Sequence, residues 1–238
     1  MNRILLMVMR NFPKVPGLYA KLCHYAKNTD KYSRQETWNH IRRILTLGIT
    51  TGNIDMQIHG LENLPEQDGF IMYGNHQGLF DCVALVYACE RPLSAVYKHE
   101  IKDIPFVKQV VTCTFSYAMD RSDDRQSLKV IQNVTKDVMN GSNFVIFPEG
   151  TRSRQGNKMG EFHAGSFRAA IKAKCPVVPM VFIDSYKVFD NKTSEMVTCQ
   201  LHFLPPIQPE EYEGMKAGDL ADMVKARVQE TLDQYADK

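Results

Sequence analysis

The chain has no apolar run long enough to cross a bilayer. Its first, "ILLMVM" (residues 4–9), is six residues long and closed by Arg10. A spanning helix needs roughly 18–20 residues, and even the core of a signal peptide is longer than this. "ILTLGIT" (44–50) is also short. There is no G-x-S-x-G elbow for a serine nucleophile and no G-x4-G-K-[ST] loop for a nucleotide triphosphate. The six cysteines (Cys23, Cys82, Cys89, Cys113, Cys175 and Cys199) form no C-x-x-C pair and no zinc-type spacing, which points to reduced, mostly buried thiols in a cytosolic setting. Internal repeats and low-complexity tracts are missing as well. Acidic residues are absent from positions 1–29, which hold Arg3, Arg10, Lys14, Lys21 and Lys27.

That last absence hides inside a net charge of only +2. Residues 1–50 carry nine Lys/Arg against two acids, a net of +7, so the remainder carries −5. The basic residues alternate with Ile, Leu, Met, Val, Phe and Tyr, and no nucleic-acid module is present, so the pattern suits an anionic membrane surface. Pro13 and Pro16 divide the segment into short amphipathic pieces that would lie on the interface. The expected division is therefore a basic amphipathic segment at 1–50 and a globular domain at 51–238.

From residue 54 onward, strand-like and helix-like stretches alternate. Strands are expected at 54–60, 69–74, 93–98, 114–120, 143–150, 176–184 and 196–207. Helices are expected at 79–90, 124–140, 164–175 and 215–236. This pattern predicts a single α/β domain with a seven-stranded, mostly parallel or mixed sheet packed by helices. In such sheets, ligands gather at the carboxyl ends of the strands. Three polar clusters fall there: "NHQGLFD" (75–81), "MDRS" (119–122) and "PEGTRSR" (148–154).

His76 and Asp81 are five apart, about 140° around a continuous helix, so they meet only if His76 lies in a strand-to-helix turn and folds back. Gly74 and Gly78 permit that bend, and Asn75 or the turn amides would cap the helix. A carboxylate on one imidazole nitrogen fixes the tautomer and leaves the other nitrogen as a base suited to neutral pH. A capped turn with a surface histidine is the competing reading. In "FPEGTRSR", Arg152 and Arg154 carry forked donors suited to phosphate, beside Glu149, Gly150 and Thr151. A solvated charged loop is the alternative there. Arg121 and Lys98 add positive charge at other strand ends.

Together these residues resemble the glycerolipid acyltransferase family, and within it the bacterial 1-acyl-glycerol-3-phosphate acyltransferases. The resemblance runs from about residue 54 to 205. "NHQGLFD" matches the N-H-x4-D motif, "KHEIKDIPFVKQVVTCTFSYAMDR" is similar to the second block, "FPEGTRSR" to the third and "VVPM" (177–180) to the fourth. In "EFHAGSF", His163 and Ala164 stand where many relatives have a lysine pair, with Arg168 a partial substitute. The resemblance implies transfer of a fatty acyl group from an acyl-CoA or acyl-ACP thioester to the sn-2 hydroxyl of lysophosphatidic acid, giving phosphatidic acid. In that scheme His76 is the base oriented by Asp81, and backbone amides of the turn hold the oxyanion. Arg121 and Arg152 contact the acceptor phosphate, with Lys98 a weaker candidate. Glu149 and Gly150 shape the glycerol site, Thr151 is a further substrate-binding residue, and Pro179 lies near the acyl chain or donor. No metal, cofactor or nucleic acid is implied. The place implied is the cytoplasmic face of the cell membrane, as a peripheral protein. Glycerol-3-phosphate or another lysophospholipid is the alternative acceptor. A thioester hydrolase using Cys82 and a non-catalytic membrane-binding protein are the readings of other classes.

Overall fold

The computed structural model describes residues 3–191 and 193–236. The N-terminal segment breaks at its prolines as expected: α1 (Arg3–Arg10) is followed by a turn and by α2 (Val15–Lys27), which has Pro16 in its first turn, where its missing N–H costs nothing. Ser33 caps α3 (Arg34–Thr51) by accepting the Glu36 amide. Then come β1 (Ile54–His59), β2 (Ile71–Gly74), α4 (Phe80–Ala88), β3 (Leu93–Lys98), α5 (Val107–Cys113) and β4 (Tyr117–Met119). Asp123 caps α6 (Asp124–Met139) by accepting from Arg125 and Gln126, and β5 (Asn143–Ile146) follows. The chain closes with α7 (Arg168–Ala173), β6 (Val177–Ile183), α8 (Tyr186–Asp190), β7 (Val197–Phe203) and α9 (Ala217–Tyr235). All seven expected strands are present. The helices α5 and α8 were not expected, and 164–175 divides into a 3-10 turn and α7.

The seven strands form one sheet in the order β1-β7-β6-β2-β5-β3-β4, parallel throughout except for the β6–β7 pair. Every residue of β2, β5 and β6 is buried, as expected of central strands covered on both faces. One face carries Met72, Val145, Met180 and Phe182, covered by α2, α3, α4 and α5 through Leu22, Trp38, Ile41, Leu85 and Cys113. The single tryptophan, Trp38, is buried here and donates its indole N–H to Cys89 O at 3.1 Å. The other face carries Ile71, Tyr73, Phe144 and Ile183, covered by α6, α7 and α9.

Because β2, β3, β4, β5 and β6 all run in one direction, their carboxyl ends share an edge of the sheet. The segments after β2 (residue 75 onward), β5 (147 onward) and β6 (184 onward) therefore converge at its centre. The N-terminal segment differs from a detached amphipathic arm. Leu22, Tyr25, Trp38, Ile41 and Ile49 belong to the main core. Arg3 is buried, donating to Val188 O, Gly52 O, Asn53 O and Glu195 O, so its charge fastens α1 to α8 and does not face outward. What α1 does present is an apolar stripe: Ile4, Leu5, Val8 and Met9 are all exposed at helical spacing, and Phe12 in the turn that follows is exposed as well.

Candidate active site

Four residues separate the end of β2 at Gly74 from the cap of α4, and the chain reverses across them. His76 Nδ1 lies 2.7 Å from Asp81 Oδ2, so the five-residue spacing closes in a turn, as the bend at Gly74 and Gly78 requires. Asp81 is fully buried in the first turn of α4, where the helix dipole favours a carboxylate. Its Oδ2 also accepts the Gln77 and Gly78 amides at 2.7 and 3.0 Å. Its Oδ1 is met by Ser185 Oγ. Four hydrogen-bond partners on one carboxylate fix its position. A carboxylate on Nδ1 makes that nitrogen the N–H donor and leaves the Nε2 lone pair for another proton. Nε2 has no partner among the described residues, and the ring keeps 19% of its surface exposed. Phe147 stacks on the imidazole with centroids 4.1 Å apart and planes 18° from parallel.

The capping expected of Asn75 is not what the structure shows. Its side chain bridges to the next strand, donating to Phe182 O and accepting the Phe182 amide, both at 2.8 Å. That two-point link sews the turn onto β6. Gly78 is needed for a related reason: a Cβ there would come within 3.2 Å of Tyr186 Cα, where α8 closes over the turn.

Glu149 is buried, and both its oxygens accept backbone amides: His76 N at 2.7 Å and Gly160 N at 2.8 Å. Burial pushes its carboxyl above the ordinary value, against the pull of those two amides. Ser153 N donates to His76 O at 2.9 Å, so the loop after β5 grips the His76 peptide from both sides. Gly150 has φ +75°, and the Arg121 guanidinium packs where its side chain would be, with Cζ 3.2 Å from an added Cβ. Arg121 and Gly150, on segments following β4 and β5, are thus brought together. Arg152 is partly exposed and Thr151 exposed, and among the described residues Arg152 has no ion pair or hydrogen bond. Lys98 ends β3 and pairs at 2.7 Å with Glu100, both well exposed. Pro179 is buried inside β6, paired with Tyr73 three residues before His76, and its carbonyl accepts from Leu204.

Sequence reading missed the segment after β6. Ser185 reaches Asp81, and its amide is accepted by Gln77 Oε1 at 3.0 Å. Gln77 Nε2 donates to Asn157 Oδ1, and Asn157 Nδ2 to Asp184 Oδ1. The signal was the polar pair Asp184-Ser185 at the end of the strand expected at 176–184. Two other expectations change. The His76, Gln77 and Gly78 amides are taken by carboxylates, so they are not open to an oxyanion. The Leu79 and Phe80 amides, at the head of α4, have no partner among the described residues. Cys82 is exposed, not on a buried helix side, and makes no hydrogen bond to His76 among the described residues.

A family model described as acyltransferase matches residues 55–183. A Mycoplasma pneumoniae protein named a probable 1-acyl-sn-glycerol-3-phosphate acyltransferase is 24% identical over 230 residues, covering 89% of this chain and 84% of that one. A Saccharomyces cerevisiae protein named 1-acyl-sn-glycerol-3-phosphate acyltransferase is 29% identical over 186 residues, 75% of this chain and 60% of its own length. The fold matches the crystal structure of a 1-acyl-sn-glycerophosphate (LPA) acyltransferase from Thermotoga maritima with a TM-score of 0.77 at 20% identity, covering 99% of this chain and 98% of that one.

Proposed function

The chain belongs to the acyltransferase family, and from that premise we propose that it moves a fatty acyl group from a thioester to the sn-2 hydroxyl of 1-acyl-glycerol-3-phosphate. The observation that carries the mechanism is the 2.7 Å contact between His76 Nδ1 and a buried, four-donor Asp81, with Nε2 uncommitted. Nε2 takes the proton of the acceptor hydroxyl as its oxygen attacks the thioester carbonyl. The charge that gathers on the carbonyl oxygen is met by the Leu79 and Phe80 amides at the head of α4. When the tetrahedral intermediate collapses, the C–S bond breaks and His76 returns its proton to the leaving thiolate. Asp81 holds the imidazole in one tautomer and stabilises its charged form in between. General base catalysis of this kind contributes about 10²–10⁴-fold.

Arg121 and Arg152 take the acceptor phosphate: one packs on Gly150 and the other follows two residues later, and Arg152 has a free guanidinium. Lys98 stands farther out, engaged with Glu100. Gly150 and Thr151 border the glycerol, and Glu149 acts by fixing the His76 peptide.

The acceptor is a lipid, so the chain works on a membrane surface. No helix among the described residues is long and apolar enough to cross a membrane. The α1 stripe instead lies in the interface, with Arg10, Lys14 and Lys21 near the headgroups of the cytoplasmic leaflet. Arg3 ties α1 to α8, and α8 packs on the His76 turn, so the stripe and the site are neighbours.

The test is acyl transfer on mixed vesicles, with oleoyl groups on CoA or on acyl carrier protein. The acceptors are lysophosphatidic acid, glycerol-3-phosphate and lysophosphatidylcholine. Phosphatidic acid from lysophosphatidic acid is expected to dominate. Faster acylation of glycerol-3-phosphate would contradict the acceptor, and free thiol without lipid product would make the protein a hydrolase.

A further inference from the structure

The two oxygens of Asp81 are held in different ways. Oδ2 is met by His76 Nδ1 and by the Gln77 and Gly78 amides, all from the turn that Asp81 itself closes. Oδ1 has one partner among the described residues, the hydroxyl of Ser185, 104 residues further along the chain. Held at Oδ2 alone, the carboxylate could swing about that oxygen, because the last torsion of an aspartate is broad. The direction in which it meets Nδ1 would swing with it. Among the described residues, only the contact to Ser185 opposes that swing at Oδ1.

Ser185 gives up its ordinary local role for this contact. It stands at the N-cap of α8, where a serine hydroxyl usually accepts an amide of the first turn, and it makes no such bond. The hydroxyl has one proton and two acceptors within reach, Asp81 Oδ1 and Gln77 Oε1. Gln77 Oε1 is already met by the Ser185 amide at 3.0 Å, whereas Oδ1 has no other donor, so the proton goes to Asp81. The Gln77 oxygen faces this way because its Nε2 is committed to Asn157 Oδ1 at 2.8 Å. Asn157 is oriented in turn by the Asp184 amide on its oxygen, at 2.9 Å, and by Asp184 Oδ1 on its nitrogen, at 3.0 Å. Asp184 itself turns the chain from β6 into α8 at a left-handed φ of +60°, a strained conformation that this ring of hydrogen bonds holds. Ser185, Gln77 and Asp81 are all buried, so solvent does not compete for these bonds.

We propose that Ser185 is a positioning residue for the base: its hydroxyl fixes the plane of the Asp81 carboxylate, and through it the tautomer and direction of His76. The inference deepens the acyl-transfer reading above and rests on it. It also gives the strained turn at Asp184 and the Gln77–Asn157 pair a task, which is to aim one hydroxyl at one carboxylate oxygen.

The experiment measures oleoyl transfer from CoA to lysophosphatidic acid on vesicles, for the full chain and its variants, with Tm on each. Ser185→Ala is expected to lower kcat by about tenfold to a hundredfold and to leave both KM values near their original ones. Ser185→Cys has nearly the same shape and only a weak donor, so it is expected to lose rate in the same direction. It decides the matter where the alanine variant does not fold. Asp81→Asn removes the carboxylate through which Ser185 acts, so adding Ser185→Ala to it is expected to cost no further rate. A side chain that only supports α8 would lower the rate by the same factor in both backgrounds. Independently of turnover, nitrogen NMR on isotopically labelled histidine reads the tautomer of His76, its signals assigned by their loss in His76→Ala. A single tautomer with the proton on Nδ1 is expected in the unaltered chain, and a mixture in Ser185→Ala. The proposal is overturned if the folded variant keeps its kcat, if its loss is the same in the Asp81→Asn background, or if the tautomer stays single. Absence of transfer from every thioester would sink the acyl-transfer reading, and the NMR spectrum would still decide whether Ser185 orients His76.

Discussion

Glu149 joins three parts of the site through one carboxylate. Its oxygens each accept an amide N–H, from His76 and from Gly160. Glu149→Gln replaces one acceptor with an NH2 group, which sets donor against donor in a buried place. Lower thermal stability is expected together with a fall in kcat of at least about tenfold, as the His76 peptide shifts. An unchanged Tm by calorimetry and an unchanged kcat would show that the clamp does not position the base. Arg152 acts differently. If its fork grips the acceptor phosphate as proposed, Arg152→Lys is expected to raise the acceptor KM by about tenfold and leave the donor KM near its original value. Steady-state titration of each substrate separates the two, and equal rises would contradict the phosphate role. His76, Asp81, Glu149 and Arg152 were all legible in the sequence because each follows a recognisable apolar strand. Ser185 was not, because it lies 104 residues from the aspartate it serves and only the sheet order brings them together.

Elements were legible in proportion to their length. Alternation and apolar runs located all seven strands, although β4 begins only at Tyr117, because residues 114–116 close the end of α5, and β5 stops at Ile146, where the chain turns into the loop that carries Glu149. The helices α5 and α8 span only 7 and 5 residues, too few for an amphipathic period to register. The edge pair β1 and β7 supplies a prediction of its own. His59 and His202 stack with centroids 4.5 Å apart, and Tyr235 of α9 lies 4.8 Å from His202. Burial, with His59 adding to it, holds the His202 imidazole down to about 4. Below its ordinary value of 6.5, and down to about 4, the unfolded chain binds a proton there that the folded chain does not, so stability falls as pH drops through that window. His202→Gln keeps a donor for Gln200 and removes the titration. A shallower decline of Tm between pH 6.5 and 4 is expected from scanning calorimetry, and an unaltered slope would place the acid sensitivity elsewhere.

At the scale of the whole molecule, one edge of the sheet collects His76, Arg121 and Arg152, and the exposed apolar stripe that begins on α1 lies close by. The charge asymmetry of residues 1–50 was legible, but its division of labour was not. Arg3 is spent inside the fold, while α2 and α3 supply core side chains, so removing the segment would expose the core and leave membrane contact untested. Substitution on α1 and the turn after it avoids that difficulty. Leu5, Met9 and Phe12 are 50%, 56% and 68% exposed, so changing all three to Ser is expected to leave Tm unchanged. Burying each such side chain contributes roughly 1.5–3 kcal/mol, so binding to anionic vesicles should fall well beyond tenfold. Unchanged sedimentation with vesicles at low salt would show that another surface makes the contact.

The central claim is that the Nε2 of His76, held through Nδ1 by Asp81, removes the acceptor proton. The most direct test is the rate of phosphatidic acid formation from oleoyl-CoA and lysophosphatidic acid on vesicles, for the unaltered chain and for His76→Ala, with Tm measured on both. The account predicts that kcat falls by about 10²–10⁴-fold while the protein stays folded and still binds both substrates. A folded His76→Ala variant that keeps more than about a tenth of the original rate would contradict it, because a base worth so little would not be the group that takes the proton.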